Sequence, residues 1–136
     1  MMISIENILK SSKTIAIIGL SDKSDRPSYQ VAEYFLSQNF TIIPVNPTIE
    51  SVFGIKSYST FASIPSNITI DIVDIFRRSS EVLSIVQEII NSGRKPIIWL
   101  QVGILNQEAE DLAKKNGLEV ITGLCLMKAH ERKSTK

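Results

Sequence analysis

One stretch carries the pattern of a strand, a glycine turn and a helix start: Thr14-Ile-Ala-Ile-Ile-Gly-Leu-Ser-Asp-Lys-Ser-Asp-Arg-Pro-Ser28. Its first five residues are apolar or β-branched at consecutive positions, which is typical of a strand buried on both faces of a parallel sheet. Gly19 then ends the strand, and a short polar loop leads to a helix start at Pro27. Backbone N–H groups and the dipole at a helix start attract anions. The stretch therefore predicts a loop that holds the phosphates of a nucleotide-type ligand.

Strand-like and helix-like segments alternate along the rest of the chain. Strands are predicted at 14–20, 40–45, 70–76, 96–100 and 118–122. Helices are predicted at 3–10, 28–39, 79–92 and 106–116, with one helical turn near 60–64 and a short helix within 123–136. The residues expected to cap helices are Ser4, Ser28, Ser79 or Ser80, and Asn106. Strict alternation implies one α/β domain over 1–136, with a parallel sheet, right-handed crossovers and helices on both faces.

Composition excludes several classes of function. Fifteen Lys and Arg residues against fourteen Asp and Glu residues give a net charge of +1, so the chain lacks the basic field of a nucleic-acid-binding domain. One histidine and one cysteine are too few for a zinc site of the usual kind, so no metal is expected. Cys125 cannot form an internal disulfide, and the sequence contains no signal peptide or membrane-spanning run. We therefore expect a cytoplasmic protein without membrane or nucleic-acid partners.

Many of the residues that follow the predicted strands are of types that bind anions or flat rings. In parallel α/β sheets, ligands bind beyond the carboxyl ends of the strands. The segments at those ends contribute cationic, aromatic and amide side chains, namely Lys23, Arg26, Asn46, Phe76, Arg77, Arg78, Trp99 and Gln101. Positive charge is thus concentrated at one edge of the sheet in a nearly neutral chain. This pattern favours a polyanionic ligand with a flat ring.

Two common nucleotide fingerprints are missing from the sequence. A dinucleotide site needs G-x-G-x-x-G and an acidic residue after the second strand, but Gly19 is followed by Leu20 and Ser21, and the second strand ends at Asn46-Pro47. The P-loop signature of ATP hydrolysis is also missing. These departures weigh against NAD and ATP. A regulatory or redox-sensing NAD(P)-binding module stays open as an alternative.

Six short motifs together resemble one protein family. They are Ile17-Ile-Gly-Leu-Ser21, Arg26-Pro-Ser-Tyr-Gln-Val31, Ile43-Pro-Val-Asn-Pro47, Asp71-Ile-Val-Asp-Ile-Phe-Arg-Arg78, Trp99-Leu-Gln-Val-Gly103 and the segment 125–130. In this order they resemble the small CoA-binding proteins, which are similar to the CoA-binding domain of the succinyl-CoA synthetase alpha chain. The resemblance covers about residues 10–130. It implies a Rossmann-like, five-stranded parallel sheet in the order 3-2-1-4-5, with coenzyme A bound across the loop tips.

The resemblance also implies which residues contact the ligand. It places six residues where they would contact the pyrophosphate or neutralise its charge, namely Gly19, Leu20, Ser21, Lys23, Arg26 and Ser28. Along the rest of the coenzyme it places Val45, Asn46 and Pro47 beside the adenosine, Phe76 and Arg77 at the phosphates or the pantetheine entrance, and Gln101 and Gly103 beside the pantetheine arm. The family mostly lacks an assigned catalytic activity, so we expect a module that binds coenzyme A or an acyl-CoA without catalysis.

Cys125 supports an alternative in which the protein is an enzyme. A thiol near the coenzyme could serve acyl or thiol transfer. A free cysteine is commonly a small buried hydrophobe, however, and His130 lies five residues away, off the helix face that Cys125 would share. We therefore expect structural roles for both residues.

Other candidates have simpler readings. Trp99 is expected in the core, and Asp71 and Asp74 are expected at polar positions around strand ends rather than as an acid–base pair. Ile104 and Leu105 fit either the core or a homodimer contact.

Overall fold

The computed structural model describes residues 4–134, in which a parallel sheet carries helices on both faces. The sheet strands are β1 (Thr14–Ile18), β2 (Thr41–Val45), β5 (Ile72–Ile75), β6 (Ile97–Leu100) and β7 (Val120–Ile121). A small hairpin, β3 (Ser51–Val52) with β4 (Ile55–Lys56), follows β2. The helices are α1 (Ile5–Ser11), α2 (Pro27–Ser37), α3 (Val82–Asn91), α4 (Gln107–Lys115) and α5 (Leu126–Ser134). The predicted α/β class is confirmed.

The strands lie in the order β2-β1-β5-β6-β7, and every neighbouring pair is parallel. Tyr58 forms a parallel bridge with Val45 on the outer side of β2. The predicted Rossmann-like sheet of five parallel strands is confirmed. The predicted strand at 70–76 lies at the centre of the sheet as β5, between β1 and β6.

Two of the four predicted N-cap assignments are correct. Ser4 and Asn106 cap α1 and α4 through their side chains, as predicted. Ser28 as the N-cap of α2 was wrong, because Pro27 occupies the first helical position and Arg26 becomes the cap residue. Ser79 or Ser80 as the N-cap of α3 was also wrong, because Ser79–Glu81 form a 3-10 turn and Glu81 becomes the cap residue of α3. The turn predicted near 60–64 is a 3-10 turn at Phe61–Ser63. Residue 3 of the predicted leading helix lies outside the described residues.

Two apolar layers sandwich the sheet. One layer joins α3 and α4 to residues such as Val73 and Ile98, and the other joins α1, α2 and α5 to residues such as Ile17. Trp99 belongs to the second layer, where it is fully buried and its Nε1 donates to the Leu124 carbonyl oxygen at 2.8 Å. The predicted core role of Trp99 is confirmed. Each helix within residues 4–134 is too short or too polar to cross a lipid bilayer.

The two central aspartates have different environments. Asp71 accepts hydrogen bonds from the backbone N–H groups of Lys13 and Thr14 at 2.8 and 3.0 Å, and thereby joins β5 to the start of β1. Asp74 lies inside β5 rather than at its end, between Ile17 and Trp99 in register, and is fully buried. Neither carboxyl oxygen of Asp74 has a hydrogen-bond partner within the described residues. Burial raises the pKa of this carboxyl well above its usual value, which favours its neutral form.

We expect Asp74→Asn to stabilise the protein at pH 7–8 and to have less effect near pH 4. The folded protein holds this carboxyl at a raised pKa, so its proton stabilises the fold. This contribution to the free energy of unfolding is fully present below the unfolded pKa of about 3.9 and is lost as pH rises toward the folded pKa. The loss is about 1.4 kcal/mol for each pH unit in that window. Urea unfolding of both proteins from pH 4 to 8 measures it, with exposed Asp22→Asn as the control. A stability difference that is independent of pH would contradict this account of Asp74.

Candidate functional site

Gly19 lies where the end of β1 passes beneath the loop after β5. Its φ is +90°, and a Cβ atom there would lie 2.3 Å from the Phe76 carbonyl oxygen and 2.9 Å from Cδ of Arg77. Its N–H donates to the Val45 carbonyl oxygen at 2.8 Å and so extends the pairing of β1 with β2. Only glycine fits this position, for reasons that need no ligand.

The free backbone donors lie mostly at the start of α2. The Ser21 N–H donates to Oγ of Ser28 at 3.0 Å, and the Gly19 N–H is used in the sheet. Within the described residues, the N–H groups of Leu20, Ser28 and Tyr29 have no acceptor. An anion at this corner would therefore meet the N–H of Leu20 and the first turn of α2, rather than all three amides of residues 19–21. The Leu20 side chain is fully buried, so only its backbone can reach a ligand.

A cleft beside these donors, which we call the loop cleft, has a volume of about 360 Å³. Seven predicted site residues line it, namely Gly19, Ser21, Lys23, Arg26, Ser28, Asn46 and Phe76. The Arg26 side chain is 60% exposed, and its Nε lies 3.9 Å from Oδ1 of Asp25, which is a weak exposed ion pair. Asn46 is already committed, because its Nδ2 donates to the Leu20 carbonyl oxygen at 2.9 Å and its Oδ1 accepts from Thr48. Arg26 and the exposed Lys23 are thus the two cations available to an anion in this cleft.

A second space, the edge cleft, lies on the α3 side of Gly19 and has a volume of about 200 Å³. Val45, Pro47 and Arg77 line it together with Gly19. The Arg77 guanidinium donates to Oε1 of Glu81 at 2.8 Å. This hydrogen bond from Arg77 is the main reason why the pKa of Glu81 is lowered. Arg77 is therefore separated from Arg26 by the turn at Gly19, and it already has an acidic partner.

A third space, the apolar chamber, lies on the other side of the loop cleft and has a volume of about 680 Å³. Phe76, Gln101 and Cys125 line it. Gln101 accepts the Leu126 N–H at 3.2 Å through Oε1 and approaches Sγ of Cys125 at 3.6 Å through Nε2. Sequence patterns did not point to its other lining residues, which include Ile5, Pro27, Val102, Ile104, Leu124 and Lys128. Gly103 lines none of these three spaces and instead forms a turn with a φ of +89°.

The three spaces lie side by side along the carboxyl edge of the sheet and share lining residues. Gly19 lines both the edge cleft and the loop cleft, and Pro27 and Phe76 line both the loop cleft and the apolar chamber. Lys23 and Arg26 lie in the middle of this groove. A ligand that suits the groove is therefore long, anionic near its centre and apolar at one end.

Cys125 and His130 lie in different environments. Cys125 is half-buried in the wall of the apolar chamber. His130 is buried, with its Nδ1 2.6 Å from the hydroxyl of Tyr34, and its ring meets Phe35 and Phe40 edge-on. These contacts are consistent with a packing role for the histidine.

Comparison with known proteins assigns the chain to a family. Residues 13–131 match the family model described as the CoA binding domain. The chain belongs to this family. It is 40% identical to YneT of Bacillus subtilis strain 168 over 126 residues, which cover 93% of this chain and 91% of YneT. A solved structure of a hypothetical protein from Pyrococcus horikoshii OT3 matches with a TM-score of 0.88 and 32% identity, over 98% of each chain.

The family also occurs as a part of larger enzymes. Over 84% of its own length, this chain is 26% identical to the ADP-forming acetate–CoA ligase of Methanocaldococcus jannaschii. The match spans 17% of that ligase. The relationship therefore concerns the shared domain, not the activity of the whole ligase.

We expect Gly19→Ala to destabilise the protein by about 3 kcal/mol or more. The alanine would have to adopt a left-handed backbone conformation, and its Cβ atom would also clash with the Phe76 carbonyl oxygen. Gly93→Ala is the matched control, since Gly93 has a φ of +77° and nothing within 4 Å of a Cβ atom. That variant should lose only about 1–2 kcal/mol. Urea unfolding without ligand measures both changes, and equal losses would contradict the close approach at Gly19.

Proposed function

We propose that the protein binds coenzyme A along the groove formed by the three neighbouring spaces. The adenosine would occupy the edge cleft, the diphosphate the loop cleft, and the pantetheine arm the apolar chamber. The observation that carries this proposal is the order of the groove, in which cations and free backbone donors separate a small cleft from a large apolar one. Membership of the CoA binding domain family supports the same ligand.

Recognition of the diphosphate would combine backbone and side-chain donors. The N–H groups of Leu20, Ser28 and Tyr29 would supply hydrogen bonds with the partial positive charge of the α2 start. Arg26 would exchange its weak contact with Asp25 for charge-assisted hydrogen bonds to phosphate, each worth about 1.5–3 kcal/mol. Lys23 is exposed on the same loop and would add charge.

The adenosine end would rest on apolar and backbone surface in the edge cleft. Val45 and Pro47 offer apolar contact, and Arg77 could turn from Glu81 toward a phosphate. The commitment of Asn46 to Leu20 and Thr48 gives this residue a supporting role, because it holds the loop rather than the ligand.

The chemistry of the apolar chamber favours binding without catalysis. Its lining contains no carboxylate or histidine within the described residues, and the thiol of Cys125 approaches the amide of Gln101. A cysteine that acts in acyl transfer is usually activated by an adjacent general base of these types. We therefore propose a binding module rather than an acyl-transfer enzyme.

We expect Arg26→Ala to weaken coenzyme A binding about tenfold, which is the lower end of roughly 1.5–3 kcal/mol for a charge-assisted contact. The melting temperature of the ligand-free protein should stay nearly unchanged, since the side chain is exposed. Lys114→Ala, an exposed cation in the last turn of α4 at the opposite edge of the sheet, is the control and should bind normally. Isothermal titration calorimetry measures both affinities. Unchanged binding by Arg26→Ala would remove the loop cleft from the proposed site.

A thermal-shift comparison of coenzyme A, NAD, NADP and ATP tests the identity of the ligand. Coenzyme A at one hundred times its dissociation constant should stabilise the protein by about 2.7 kcal/mol. The dinucleotides should give smaller shifts at equal concentration, because they have no pantetheine arm for the apolar chamber. Greater stabilisation by NAD or NADP would replace the proposal with the dinucleotide alternative.

A further inference from the structure

The apolar chamber has more room than its share of coenzyme A needs. Its volume of about 680 Å³ is in the range of sites that hold a whole drug-sized ligand, roughly 300–1,000 Å³. The nucleotide has separate space in the loop cleft and the edge cleft, of about 360 and 200 Å³. The pantetheine arm alone, which is the smaller part of the coenzyme, would therefore leave the chamber partly empty.

The walls of the chamber are mainly apolar. Side chains of this kind come from five separate segments and include Ile5, Pro27, Phe76, Val102, Ile104 and Leu124. Gln101 already uses its amide oxygen for the Leu126 N–H and directs its amide nitrogen to Cys125. The chamber thus offers a large apolar surface, with the cations Lys128 and Arg132 as its charged lining residues.

One wall residue is unusually exposed for its type. Val102 is 62% exposed and lines the chamber. Leu105, on the same loop, is 61% exposed but does not line the chamber. An apolar group held in the chamber would remove Val102 from water and leave Leu105 unchanged, and burial of apolar surface is what favours such binding.

We propose that the chamber holds the acyl group of an acyl-CoA, so that the preferred ligand is a thioester with an apolar chain of several carbons. This inference rests on the proposed function, because the pantetheine arm delivers the acyl group to the chamber. The thioester stays intact, so no bond is made or broken. An apolar chain in the chamber has a second possible source, a free fatty acid. Its carboxylate would pair with Lys128, which is an exposed cation at the chamber wall.

Calorimetric titration with coenzyme A and with its acetyl, butyryl and hexanoyl thioesters tests the inference. Each methylene that becomes buried should tighten binding up to about fourfold, so hexanoyl-CoA should bind at least about tenfold more tightly than acetyl-CoA. Equal affinities for all four ligands would overturn the inference and leave the proposed function standing. Failure of all four to bind would overturn both.

Hexanoate without the coenzyme separates the two sources of an acyl chain. We expect it to bind far more weakly than hexanoyl-CoA, because it lacks the contacts of the nucleotide in the loop cleft. Equal affinity would show a fatty-acid site and overturn the thioester inference.

Two variants on one loop test the position of the chain. Val102→Asp places a carboxylate in the chamber wall and should bring the affinity ratio of hexanoyl-CoA to coenzyme A close to one. Leu105→Asp adds the same charge at an equally exposed position outside the chamber and should keep the ratio of the parent protein. Both positions are exposed, and thermal melts of each variant check that it folds. A parental ratio in Val102→Asp would overturn the inference.

Discussion

The approach of the Phe76 carbonyl to Gly19 is the constraint on which the groove depends. β1 and β5 are neighbours at the centre of the sheet, and both end at this contact. From here the chain after β1 leads to α2 on one face, and the chain after β5 leads to α3 on the other. The two loops can diverge from so close a contact only because Gly19 has no side chain. The clefts on either side of Gly19 follow directly from this divergence.

Each of the three spaces has at least one cation in its lining, in a chain of net charge +1. Lys23 and Arg26 lie on the loop between β1 and α2, whereas the apolar chamber is built by segments around β6 and α5. Beneath both, β5 carries Asp74, a buried carboxyl without a hydrogen-bond partner in the described residues, and burial raises its pKa well above the usual value. Burial therefore disfavours a negative charge at the centre of the sheet.

Local sequence patterns predicted the elements better than their arrangement. The consecutive apolar residues of β1 and the capping side chains of Ser4 and Asn106 are local signals, and the structure confirms them. Ser28 was misassigned because Pro27 competes for the first helical position, and the Ser28 hydroxyl instead accepts the Ser21 N–H. The β3–β4 hairpin has strands of two residues, which are too short to show alternation.

The site was predictable in part for the same reason. Most residues of the loop cleft lie within 19–28, so the pattern around Gly19 and Arg26 pointed to them. The chamber brings together Ile5, Ile104 and Leu124, which are far apart in the chain and lie outside the six motifs. Which spaces join the groove depends on long-range packing, and the ligand assignments remain predictions.

Side-chain hydrogen bonds made by Trp99 and Gln101 position the last described part of the chain. Trp99 holds the Leu124 carbonyl and Gln101 holds the Leu126 N–H, while β7 adds a strand of only two residues. Side-chain hydrogen bonds and the burial of Leu126 and His130, rather than a long backbone ladder, thus join α5 to the body of the sheet. The part of the apolar chamber wall that Cys125 and Lys128 provide is therefore held in position by the same side chains.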